Sequence, residues 1–165
     1  MIKKLVVYLT AWLVALSFNQ VITAQGQKDG KESEMPVVVF VCEHGSAKSI
    51  VAVAYFNRLA EEQHLKVRAI ARGTTPDKEI APTVVKGLQA EGLKPSEAAP
   101  KKISQADLAG AQRVIAFCQL PDDYPGRVRV EHWDDMPPVS EDYGKARDQI
   151  LERIGRLLDE LKSGK

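Results

Sequence analysis

The chain has no excess of charge of either sign: 23 lysines and arginines stand against 22 aspartates and glutamates, a formal net charge of +1 over 165 residues. No strong field is therefore available to hold nucleic acid or an anionic membrane by charge alone, and any anion site must be local. Cysteine is scarce, with Cys42 and Cys118 the two present. Their spacing is not of the zinc type, and no Gly-x-Gly-x-x-Gly occurs, so neither a metal nor a cofactor is expected. Internal repeats and low-complexity tracts are absent, which excludes solenoids and arrays. What remains is a chain of ordinary globular composition with room for one core.

Its first residues stand apart. Lys3 and Lys4 precede an apolar run from Leu5 to Phe18, followed by Val21, Ile22, Thr23 and Ala24, the layout of a secretory signal peptide. The run falls short of the ~20 residues a spanning helix needs, which favours a cleaved signal over a retained anchor. Residues 1–24 are read as the signal peptide, 25–35 as a polar flexible leader and 36–165 as the folded domain. The mature chain is expected to be exported, periplasmic or secreted, and free of the membrane. Thiols outside the cytoplasm tend to be oxidised, so either Cys42 and Cys118 pair or one of them is reactive.

Val37 to Val41 is β-branched and aromatic without alternation, as in a strand buried on both faces of a parallel sheet. After a short loop, Ile50, Val51, Val53, Ala54, Phe56, Leu59 and Ala60 recur at helical spacing. Lys66 to Ala71, leading to Arg72 and Gly73, reads as a second strand feeding a turn at Thr74, Thr75, Pro76 and Asp77. A helix is expected from about Glu79 to Glu91, with Pro82 in its first turn and Gly92 as its stop. Ser104 to Ala109 reads as a short helix capped by Ser104 with Asp107 three residues on. Val114 to Phe117 is a third strand ending at Cys118, and Arg127 to Trp133 a fourth, partly exposed one. The last helix runs from about Ala146 to Lys162 on a stripe of Ile150, Leu151, Ile154, Leu157, Leu158 and Leu161. This alternation implies an α/β fold: a four-stranded parallel sheet with helices on both faces. Ligands of such sheets sit beyond the carboxyl ends of the strands, where Cys42, Gly73, Cys118 and Trp133 are expected to share one rim.

Cys42 is followed by Glu43, His44, Gly45, Ser46, Ala47, Lys48 and Ser49, a stretch that connects a strand end to a helix start. Unpaired backbone N–H groups and the helix dipole favour an anion there, and small residues let the backbone curl around a tetrahedral oxyanion. Residues Glu43 to Ser49 are thus the candidate oxyanion-binding loop. The same field stabilises a thiolate, the nucleophilic form of Cys42. Lys48 adds a positive charge and Ser49 a hydroxyl for the sulfur. His44 either activates Cys42 or is a polar loop residue.

A strand, Cys, five residues, a cation, Ser and a helix resembles the phosphate loop of the low-molecular-weight protein tyrosine phosphatases and the related thiol-dependent arsenate reductases, Cys-x5-Arg-Ser. The resemblance runs from Pro36 to the end of the last helix. Ala71-Arg72-Gly73-Thr74 stands in place of the family's Ser-Ala-Gly-Thr, and Gln89 to Leu93, Val114 to Cys118 and Glu131-His132-Trp133 carry it further. Against the pattern, Lys48 replaces the arginine fork that grips two oxygens, and Gly45 replaces the asparagine that braces the loop, which predicts a less rigid loop. The late loop has no Asp-Pro; Asp135, with Asp134 behind it, is the candidate general acid, and Trp133 a candidate site wall with Tyr143 nearby. Cys118 stands where the reductases carry a shuttle cysteine, although Tyr124 and Pro125 occupy the place of their further cysteine. It is either a redox partner of Cys42 or an inert strand residue. The resemblance implies one of three activities. The first is a phosphatase in which Cys42, Lys48 and Asp135 act on a phosphotyrosine-type ester. The second is an arsenate reductase using Cys42 with Cys118 or an external thiol donor. The third is a non-catalytic oxyanion-binding or redox-sensing relative.

Overall fold

A computed structural model describes residues 35–121 and 128–164. The expected signal peptide, the leader apart from Met35, and Tyr124, Pro125 and Arg127 lie outside the described residues. The elements in chain order are β1 (Val37–Cys42), α1 (Lys48–Glu62), β2 (Arg68–Gly73), α2 (Pro82–Ala90), α3 (Gln105–Ala109), β3 (Ala111–Ala116), β4 (Val130–His132) and α4 (Tyr143–Ser163). The strands form one four-stranded sheet in the order β2-β1-β3-β4, with every neighbouring pair parallel.

β1 is central, which is why its sequence does not alternate. Val38, Phe40 and Cys42 pack on the face covered by α1, α2 and α4. Val39 and Val41 face the other side, against Ile103, Val114 and Leu108 of α3. Both faces are therefore covered, as the run of apolar residues demands. Phe40 anchors an aromatic group, with ring centroids 5.7 Å from Phe56 and 5.8 Å from Trp133.

Two helices differ from expectation at their starts. α2 begins at Pro82 rather than Glu79, because Ala81 ahead of the proline is extended (ψ 126°), as sterics before proline require. The Ala81 N–H also donates to the Ser46 carbonyl at 3.1 Å, outside the helix. α4 gains nearly a turn, since the Asp142 side chain accepts from the Lys145 N–H and caps it. At α3 the anticipated capping box is present, with Ser104 and Asp107 each accepting from the other's backbone N–H. Among the described residues no helix is long and apolar enough to cross a membrane.

Candidate active site

β1 leads through α1 to β2 on one side, and β2 leads back across to β3 on the other. This is the switch in strand order at which open parallel sheets bind ligands, and Cys42 is the last residue of β1. The loop after it enters α1, whose N-cap, Ala47, makes no side-chain cap and whose first turn holds no acidic residue. The first N–H groups of that helix have no intrahelical acceptor, so the helix presents its positive end to the loop.

The loop is held from behind. Thr74, Thr75, Asp77 and Ala81 donate their N–H groups to the carbonyls of Cys42, Glu43, His44 and Ser46 at 3.2, 2.8, 3.0 and 3.1 Å. In a trans peptide the N–H points opposite to its carbonyl. The N–H groups of Glu43, His44, Gly45 and Ala47 are thereby turned away from the bracing segment, the inward curl an oxyanion requires. Gly45 has φ +61°, and a Cβ on it would stand 2.9 Å from the Gly73 nitrogen. Reciprocally, a Cβ on Gly73 would stand 2.7 Å from the Gly45 nitrogen. The glycine that replaces asparagine thus lets two backbones touch, and backbone bonds and this contact brace the loop.

Cys42 is 7% exposed and Ser49 fully buried, with 3.2 Å between Sγ and the hydroxyl oxygen. Both cysteines are free thiols. A cavity of about 430 Å³ opens on this loop, lined by Cys42, Glu43, His44, Ser46, Ala47 and Lys48. Cys118, Phe117, Ala81, Thr83 and Pro138 to Ser140 complete its wall. Burial, followed by the neighbouring Cys42 and Glu43, pushes the Cys118 thiol up to about 11. The Lys48 ammonium donates to the Met136 carbonyl at 2.7 Å, tying the late loop to the start of α1. Glu43 keeps its side chain in solvent and joins the loop through its carbonyl.

Two expected contributors lie elsewhere. Trp133 is 1% exposed, packs on Phe40 and Phe117 and donates its indole N–H to Glu131. It is core beneath the site and not a wall, because the strand-end position turns it inward. Asp135 is solvent-exposed and accepts from Arg153 at 2.6 Å. That hydrogen bond holds its carboxyl below the usual carboxylate range, and the residue is not on the cavity wall. Asp134, also exposed, accepts from Gln119 at 3.4 Å. Sequence reasoning missed Asp77, Ala81, Thr83 and Val139 as site residues. The turn after β2 was visible as a turn, and its partnership with the loop follows from β2 lying beside β1.

Residues 37–165 match the low molecular weight phosphotyrosine protein phosphatase family, and the chain belongs to it. With a cysteine at the head of this loop, the site is that of a cysteine-dependent phosphatase or arsenate reductase. Among curated proteins none matches the chain. Among solved structures it is similar to an arsenate reductase from Archaeoglobus fulgidus, with 27% identity, TM-score 0.61, and coverage of 74% of this chain and 98% of that one. It is also similar to the thioredoxin-dependent arsenate reductase of Corynebacterium glutamicum (23% identity, TM-score 0.65), covering 81% of this chain but 65% of that one, less than two thirds of its length. A low molecular weight protein tyrosine phosphatase from T. tengcongensis is similar at 21% identity and TM-score 0.66, over 76% and 99% of the two chains. The last two likenesses speak to the fold.

Proposed function

We propose that the chain is a phosphomonoesterase that uses the Cys42 thiolate as nucleophile on a phosphotyrosine-type ester. The observation that carries this reading is the Cys42 sulfur lying 3.2 Å from the Ser49 hydroxyl at the uncapped start of α1. The thiolate attacks phosphorus, the S–P bond forms and the P–O bond to the leaving group breaks. Loop N–H groups and Lys48 hold the remaining oxygens, charge stabilisation of the kind that dominates phosphoryl transfer. Water then attacks phosphorus, the S–P bond breaks, and Ser49 stabilises the departing thiolate by donating its O–H. The apolar wall of Ala81, Phe117, Pro138 and Val139 suits an aryl group.

A second reading, reduction of arsenate, is favoured by Cys118 sharing the cavity with Cys42. The Cys42 thiolate would bond to arsenic(V) as one As–O bond breaks and that oxygen leaves as water, and the Cys118 thiolate would attack the Cys42 sulfur. The S–As electron pair would stay on arsenic, releasing arsenic(III) and leaving a disulfide. A thiol pushed up to about 11 is thiolate in only about one molecule in 10⁴ at pH 7, which slows that second attack. Hydrolysis needs no second thiol and therefore ranks first. The test is turnover of an aryl phosphate, and of arsenate with thioredoxin or glutathione as external thiol donor, by wild type, Cys42→Ser and Cys118→Ser. Phosphate release that depends on Cys42 but not on Cys118 is expected. Arsenite release that depends on both, without phosphate release, would replace the first reading by the second.

A further inference from the structure

Expulsion of a poor leaving group needs a proton at the departing oxygen. Asp135, turned to Arg153, does not line the cavity, and among the described residues Glu43, its side chain largely in solvent, is the one acidic residue at its wall. A histidine lines it too. His44 belongs to the oxyanion loop, and its ring stands beside a carboxylate that is itself fixed. The Asp77 N–H donates to the His44 carbonyl at 3.0 Å, and Asp77 Oδ2 accepts from the Ser46 hydroxyl at 2.6 Å. Asp77 Oδ1 lies 3.5 Å from His44 Nδ1. A carboxylate at Nδ1 places a proton there and leaves Nε2 as the nitrogen that exchanges protons with a ligand. Glu43 Oε2 lies 4.0 Å from Nε2, and Cys42, Lys48 and Cys118 are the other titratable groups on the same wall.

We propose that His44, oriented by Asp77, is the proton donor to the leaving oxygen, taking the role that an aspartate of the late loop holds in the family. The proposal rests on the phosphomonoesterase reading. In the first step S–P forms as P–O breaks, and the imidazolium gives its Nε2 proton to the departing oxygen, which leaves as the alcohol. In the second step neutral His44 takes a proton from the attacking water as O–P forms and S–P breaks. Phosphate, thiolate and imidazolium result, and protons balance over the cycle. Asp77 acts through His44 and is a positioning residue.

The experiment compares phenyl phosphate, whose leaving group needs a proton, with 2,4-dinitrophenyl phosphate, whose leaving group does not. His44→Gln is expected to lower kcat/KM about 10²-fold or more on phenyl phosphate and about threefold at most on the dinitrophenyl ester. Asp77→Asn should give a smaller loss with the same leaving-group dependence, while Asp135→Asn should leave both rates unchanged. His44 is more than half exposed (58%), so its replacement should not unfold the chain, and an unchanged melting temperature checks this. Equal losses on the two esters, no loss on either, or a leaving-group-dependent loss in Asp135→Asn would overturn the donor role while leaving the hydrolytic reading intact. A folded wild type that turns over neither ester sinks that reading, and the donor role with it.

Discussion

Gly45 shows how much of the site depends on one missing side chain. At φ +61°, with the Gly73 nitrogen 2.9 Å from where a Cβ would be, Gly45→Ala should cost about 1–3 kcal/mol of stability through backbone strain, measurable by urea unfolding. Lys48 carries a different tension, because its ammonium is already given to the Met136 carbonyl and a point charge cannot also clasp two oxygens. Lys48→Arg is therefore expected to raise kcat/KM on an aryl phosphate, since a fork can keep one N–H on Met136 and offer others to the oxyanion. A lower value in steady-state assays would contradict this. At Cys118 the raised value, about 11, has a direct consequence. In the Cys42→Ser chain burial, its largest cause, remains while the Cys42 charge is gone, so iodoacetamide labelling of Cys118 should still rise with pH beyond about pH 9, where an ordinary thiol levels off.

Among the elements, β2 does more than complete the sheet. Arg72 on it pairs with Glu97 at 2.8 Å and Asp107 at 2.7 Å, joining the strand to the loop that follows α2 and to α3. All three side chains are largely buried, so Arg72→Met leaves Asp107 without its cation and Glu97 with Lys101 alone at 3.1 Å, and should cost about 3 kcal/mol. Burial opposes the charged form of Asp107, but hydrogen bonds from Arg72 and Ser104 outweigh it and hold the carboxyl below its ordinary range. Its stabilising contribution is thus present above the unfolded value of about 3.9 and lost as pH falls through the lower folded one. Denaturation midpoints should show wild type weakening below about pH 4. In Arg72→Met the Ser104 hydrogen bonds still oppose burial at Asp107, so the weakening below about pH 4 should be smaller than in wild type. The Cys-x5-Lys-Ser loop, the strands and α4 were legible because apolar period and punctuation agree there. The start of α2 was misread because Glu79 and Ile80 suit a helix locally, while the Ala81 N–H is claimed by Ser46 across the site. The placement of the Trp133 and Asp135 side chains was not legible for the same reason: which way each turns depends on Phe40 and Arg153, which are distant in sequence.

For the molecule as a whole, the parallel order β2-β1-β3-β4 explains why a loop, a turn and two thiols from separate stretches meet at one rim. The family follows from residues 37–165, whereas export is a proposal from the N-terminal charge and apolar run. N-terminal sequencing of protein recovered outside the cytoplasm should begin at Gln25, and recovery of the full chain inside the cell would refute it. The central claim is that Cys42 is a nucleophile toward phosphorus. Rapid quenching of the purified chain with a ³²P-labelled aryl phosphate should trap a phosphocysteine on Cys42, lost together with turnover in Cys42→Ser. Turnover that persists in Cys42→Ser, or hydrolysis without a trapped phosphocysteine, would contradict it.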